Sequence, residues 1–147
     1  MQESLIAVFH ECSAGSIAET MNFPAVVGKL MAVGAERYHC DLYRREKTYY
    51  LGDGRSHVEP EPELDATELG VAGIAHEFSE AGIAAALAAV QAKEISYLEF
   101  LRRIMSAGCV GYEVCLTGKR ALYFGRAGDV YVEWFPGAKS AAPAGRG

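Results

Sequence analysis

Five residues in the first half of this chain have the types and spacing to do chemistry together: His39, Asp41, Tyr49, His57 and Glu59. Histidine can give or take a proton near neutrality, and a carboxylate beside it can orient the ring. Three strands are predicted around these residues, at about 36–43, 47–51 and 55–59. Alternation places Tyr38, Cys40 and Leu42 on the core face, with Val58 joining them from the third strand. Keeping apolar residues on one face then calls for odd loops, at 44–46 and 52–54, because a one-residue slip turns every side chain over. That register sets Asp41, Tyr49 and His57 in one row on the polar face. Such a row could bind a small molecule and support acid–base work on it. A plain solvated sheet face would show the same polar alternation.

Other chemistries find less support. His39 and Cys40 are neighbours on a strand and point oppositely, and His10-x-Cys12 is too short for a typical zinc spacing, so no metal site is expected. Cys12, Cys40, Cys109 and Cys115 form no C-x-x-C pair and read as small buried thiols. No G-x-S-x-G elbow is present, and Cys109 has no identifiable base partner. Gly52-Asp53-Gly54 and Gly125-Arg126-Ala127-Gly128 read as hairpin turns rather than phosphate cradles, and no cofactor is expected. Arg44-Arg45-Glu46-Lys47 reads as a solvated hairpin tip.

The elements that must position these residues come in two copies. Residues 23–60 align without a gap with 97–134, at an offset of 74, with eight of 38 positions identical. Composition alone gives about 2–3 matches in such a window. Each copy opens with a helix. Asn22 or Ser96 caps it, Glu99 completes a capping box in the second copy, and Gly34 or Gly108 stops it. Phe23, Val26, Val27 and Leu30 form the apolar stripe of the first helix; Tyr97, Phe100, Leu101 and Ile104 form that of the second. Strands at about 111–117, 121–125 and 129–135 follow in the second copy, with Cys115, Tyr123 and Tyr131 as the corresponding row. A further helix capped by Ser79 precedes the second copy, and residues 3–12 should be its counterpart, with Leu5, Ile6 and Phe9 inward.

The expected fold is therefore α+β: two helix–strand–strand–strand units, about 1–60 and 75–135, packed as one pseudo-two-fold body over residues 1–138. Glu59-Pro60-Glu61-Pro62-Glu63 should be an extended, solvated linker, residues 64–77 fit either a loop or a short helix, and 139–147 should be a disordered tail. A net charge of −5 argues against nucleic acid as a partner. No apolar run reaches the roughly 18 residues needed to span a bilayer, and the start lacks the basic region of a signal peptide, so a cytoplasmic protein with no membrane partner is expected. The tyrosine-rich strands suggest a homodimer.

Phe23-Pro24-Ala25-Val26-Val27-Gly28-Lys29-Leu30-Met31, then Gly34, Glu36-Arg37-Tyr38-His39 and Glu46-Lys47-Thr48-Tyr49-Tyr50, resemble the YdfO-like family of bacterial proteins. Ala107-Gly108-Cys109-Val110-Gly111-Tyr112 and Tyr123-Phe124-Gly125-Arg126 carry the same resemblance. It covers nearly the whole chain except residues 60–75 and the tail. It implies a compact α+β domain of unknown function, with some relatives lying in prophage regions under a loose phage envelope label. It supplies no catalytic residues. The sequence thus points to a non-enzymatic binding or accessory protein, with a small-molecule binder or small enzyme built on Asp41, Tyr49 and His57 as the alternative.

Overall fold

A computed structural model describes residues 2–138; the tail expected at 139–147 lies outside them. The chain begins with α1 (Glu3–Ala18) and α2 (Phe23–Ala32), then forms β1 (Ala35–Asp41), β2 (Glu46–Leu51) and β3 (Ser56–Pro60). After a single 3-10 turn at Pro62–Leu64 come α3 (Glu80–Gln91), α4 (Tyr97–Ser106), β4 (Cys109–Cys115), β5 (Arg120–Gly125) and β6 (Val130–Trp134). The fold is α+β. All six strands form one antiparallel sheet in the order β3-β2-β1-β4-β5-β6.

Local chemistry explains the helix ends. The Asn22 carboxamide oxygen accepts from the Ala25 N–H at 2.9 Å, Ser79 Oγ from Gly82 at 3.0 Å and Ser96 Oγ from Glu99 at 3.1 Å. Each satisfies one of the N–H groups that a helix start leaves without a partner. Glu99 does not close the expected capping box. Its carboxylate reaches forward to Arg102 and Arg103, whose hydrogen bonds hold it at a pKa of about 2. Gly34 and Gly108 lie in left-handed conformation one residue beyond the caps Val33 and Ala107.

The bounds of α2 and β1 to β3 recur at an offset of 74 in α4 and β4 to β6. So do the strand registers: Tyr38 faces Tyr49 as Tyr112 faces Tyr123, and Tyr49 faces His57 as Tyr123 faces Tyr131. The two sets join where β1 pairs with β4. His39 lies opposite Glu113, its own counterpart, while Arg37 opposes Cys115 and Asp41 opposes Gly111.

Three expectations need correcting. α1 continues to Ala18 instead of stopping near residue 12, because Cys12, Ser13 and Gly15 are small enough to be buried along its inner side. At Gly15 a Cβ would come within 2.8 Å of the Met21 side chain. Phe23 is 41% exposed at the first turn of α2 and packs edge-on against Phe135 at 5.2 Å, leaving Val26 and Leu30 to face the core. The acidic stretch 59–63 is not a solvated linker: Glu59 and Glu61 are buried. Of the two readings open for residues 64–77, the loop is the one observed: between Asp65 and Phe78 the chain forms turns and loop.

Candidate functional site

The pairings define a grid. On one face, the rows His57–Tyr49–Tyr38–Val114–Ala121–Glu133 and Glu59–Lys47–Cys40–Tyr112–Tyr123–Tyr131 cross all six strands. These rows lie under the helices. Phe9 of α1 stacks on Tyr49 at 4.7 Å, Ser13 and Tyr49 share a 2.7 Å hydroxyl hydrogen bond, and Phe100 of α4 meets Tyr123 edge-on. The opposite face carries three rows: Ser56–Tyr50–Arg37–Cys115–Arg120–Trp134, Val58–Thr48–His39–Glu113–Leu122–Val132 and Pro60–Glu46–Asp41–Gly111–Phe124–Val130. Gly111 alone among these eighteen is buried.

The predicted site does not assemble on this grid. Tyr49 and His57 are adjacent, as expected, but they face the helices; Tyr49 is 1% exposed. Asp41 lies on the open face and pairs with Glu46, not Tyr49. The row completed by Tyr49 and His57 contains Tyr38, and the second-copy row contains Tyr112 in place of Cys115. Val58, expected in the core, is 45% exposed.

One turn accounts for all of this. Leu42 to Arg45 is a four-residue connection closed by Arg45 N–H to Asp41 C=O at 2.8 Å, with Arg45 in left-handed conformation. An even loop reverses the parity that the predicted three-residue loop would set. Lys119 occupies the same conformation in the second copy. The loop at 52–54 does have the expected length, closed by Leu51 N–H to Arg55 C=O at 2.9 Å.

Each candidate therefore has a different role. His39 donates from Nδ1 to Glu113 Oε1 at 3.2 Å, and Arg37 reaches the other oxygen of that carboxylate at 3.0 Å while lying over the Tyr50 ring. Asp41 Oδ1 accepts from the Tyr43 and Arg44 N–H groups and shapes the turn. Glu59 lies between two imidazoles, accepting from His57 Nε2 at 2.8 Å and from His10 Nδ1 at 3.0 Å, and so ties α1 to β3. Among the described residues no three His, Cys, Asp or Glu side chains are placed to hold a metal ion.

Lys47 is the residue most misjudged from sequence. It was expected at a solvated tip, yet its side chain is 3% exposed and lies 3.4 Å from Glu61, itself 2% exposed. Its ammonium lies 5.4 Å from the Tyr38 ring centre and 5.2 Å from that of Tyr97. Burial by itself would lower its pKa; the surrounding Tyr97, Glu61, Tyr49 and Tyr38 oxygens outweigh that and hold it well above the ordinary lysine value. Tyr97 and Tyr112 share a hydroxyl hydrogen bond beside it, and burial pushes both phenols well above the usual range. Lys47 shares strand parity with Tyr49 and Leu51, which marks it as inward once those two are placed inward.

Two open clefts lie elsewhere. One, of about 620 Å³, is lined by Tyr43, Gly73, His76, Ser106 and Arg126 among others; the second, of about 310 Å³, adjoins it at Ser106. None of the five candidates lines either.

The open sheet face is the remaining surface of unusual character. Antiparallel sheets covered on one side ordinarily show polar side chains on the other. Here Val58, Leu122, Phe124, Val130, Val132 and Trp134 face outward, with Arg120 stacked over Trp134 at 4.8 Å. Val130 and Val132 are 44% and 40% exposed. Among the described residues no helix is long and apolar enough to cross a membrane. No protein-family model matches the chain, and no curated protein matches it.

Proposed function

We propose that this protein is a non-enzymatic binding protein, and that the open face of its sheet is the surface that receives a protein partner. The supporting observation is an apolar patch on the β5–β6 side of that face, where Leu122, Phe124, Val130, Val132 and Trp134 lie together beside Arg120, while Asp41, Glu46, His39 and Glu113 occupy the neighbouring strands. Contact surfaces between proteins are enriched in such aromatic and arginine residues, and a contiguous apolar patch in water favours association. The net charge of −5 disfavours polyanionic partners. The alternative of a small-molecule site needs Asp41, Tyr49 and His57 to converge, and the sheet separates Asp41 from the other two by its full thickness.

Photocrosslinking tests the reading. A benzophenone amino acid at Val132 is expected to trap a discrete protein adduct in cells, whereas the same group at Ala85, exposed on α3, is expected to trap none. Equal yields from both positions, or no adduct at Val132, would remove the open face as the recognition surface.

A further inference from the structure

We infer that the partner on the open face is a second copy of this chain, the two sheets stacking as a two-fold sandwich with the symmetry axis along the strands. This rests on the binding role of that face argued above.

The grid makes the face complementary to itself. Rotating a copy about an axis parallel to the strands, through the β1–β4 centre, lays β1 over β4, β2 over β5 and β3 over β6. His39 then faces Glu113 of the second copy, Tyr50 faces Arg120 and Thr48 faces Leu122. On the outer strands Val58 faces Val132 and Pro60 faces Val130, while Phe124 lies over Glu46 and Trp134 over Ser56. No two like charges oppose. The other face-to-face choice, an axis across the strands, lays each middle-row residue on its own copy and opposes Glu113 to Glu113. That axis does set Arg37 over Asp41, but it meets the Glu113 pair and the His39 pair head-on at the centre, and like-charge opposition across an interface disfavours it.

Size and desolvation fit the same occupant. Six strands at ~4.8 Å spacing and about 20 Å of strand length present roughly 550 Å² per copy in projection, or about 1,100 Å² for the pair, above the ~1,000 Å² expected of a specific interface. The central carboxylate enters the interface already paired, because Arg37 and His39 both bond Glu113 within its own chain. A buried charge held this way avoids the cost of an unpaired one. Aligned sheets rotate by about 30°, which moves the β2 over β5 contacts by only about 4 Å and keeps long side chains there within reach.

The test uses the full chain in sedimentation or light scattering. The expected species is near twice 15.8 kDa at micromolar concentration. Thr48→Lys and Leu122→Glu should each shift it to the single-chain mass with the circular dichroism unchanged. The double variant T48K/L122E should recover at least about tenfold in affinity over either single variant. Within one chain these positions are three strand spacings apart, about 14 Å, so only a second copy can pair them. Cys115, half-buried on this face while the other three cysteines are buried, gives a readout free of substitutions at the face. Its alkylation rate in the native chain should fall as concentration rises through the dimerisation range. A single-chain mass at about 100 µM, a dimer indifferent to both single variants, or a double variant no tighter than the singles would overturn this arrangement. A Val132 adduct to a different protein, with this chain monomeric, would overturn the second copy as occupant and leave the binding role standing.

Discussion

Lys47 shows what a single residue asks of this fold. Its ammonium and the Glu61 carboxylate are both out of water, and among the described residues neither carboxylate oxygen of Glu61 has a hydrogen-bond partner. Removing one member of such a pair strands the other charge in a poorly polarisable interior. Lys47→Ala is therefore expected to destabilise the protein by about 3–5 kcal/mol, while K47M/E61L, which removes both charges and keeps apolar volume, recovers most of that loss. Urea denaturation of the wild type, the singles and the double measures the coupling directly. Equal losses in single and double would show that packing volume, not the charge pair, matters at this position. Sequence alone placed Lys47 beside two arginines at a turn and so read it as solvated; the parity it shares with Tyr49 identifies it as inward only once Tyr49 is known to be inward.

The elements were largely legible because their signals are local. Caps at Asn22, Ser79 and Ser96, and stops at Gly34 and Gly108, act within four residues of the helix ends. Two equivalent glycines separate local strain from tertiary contact. Gly34 and Gly108 have φ of +86° and +90°, and a Cβ at Gly34 would meet nothing within 4 Å, whereas one at Gly108 would lie 2.2 Å from the Glu77 carbonyl oxygen. Gly34→Ala should cost only the left-handed strain, about 1–2 kcal/mol. Gly108→Ala should lower the melting temperature distinctly further, because the backbone at Glu77 and Phe78 must move. Equal shifts in thermal unfolding would mean that this segment yields freely. The length of α1 was not legible: beyond Cys12 its buried residues are Ser13 and Gly15, which carry little apolar periodicity to read.

At the scale of the molecule, the sheet buries a sheet of phenols and one lysine, and this predicts a particular response to base. Burial raises Tyr49 to about 12, and it pushes Tyr97, Tyr112 and Tyr123 well above the ordinary value. Lys47 is shifted in the same direction by the oxygens around it. In the unfolded chain tyrosine and lysine ionise near ~10 and ~10.4. A folded pKa above the unfolded one means that the native state holds its proton more tightly, so this stabilisation is complete below pH ~10 and lost as pH rises beyond it. Burial also raises the Cys12, Cys40 and Cys109 thiols, which ionise near ~8.5 in the unfolded chain. Urea midpoints should therefore be level only up to about pH 8, fall from there and fall more steeply above pH ~10, and the 295 nm tyrosinate absorbance of the buried phenols should appear together with loss of helical circular dichroism. Ionisation of all of them in a chain that keeps its native circular dichroism would contradict their enclosure. Of the strand tyrosines that suggest a homodimer all but Tyr50 lie on the helix-covered side, so the dimer inferred here shares only Tyr50 with them and otherwise stands on residues of the other side of the sheet.

The α+β class, the order of elements and their recurrence at an offset of 74 could be read from sequence alone, because caps, turn glycines and the alternation of strands act over a few residues. Which side of each strand is inside could not. Both sides of these strands carry apolar and polar residues, so alternation gives two sets without naming the buried one. That choice followed from one four-residue turn at Leu42–Arg45 and from helices that cover a single face. These long-range facts moved Tyr49, His57 and Glu59 into the body and left His39 and Asp41 outside.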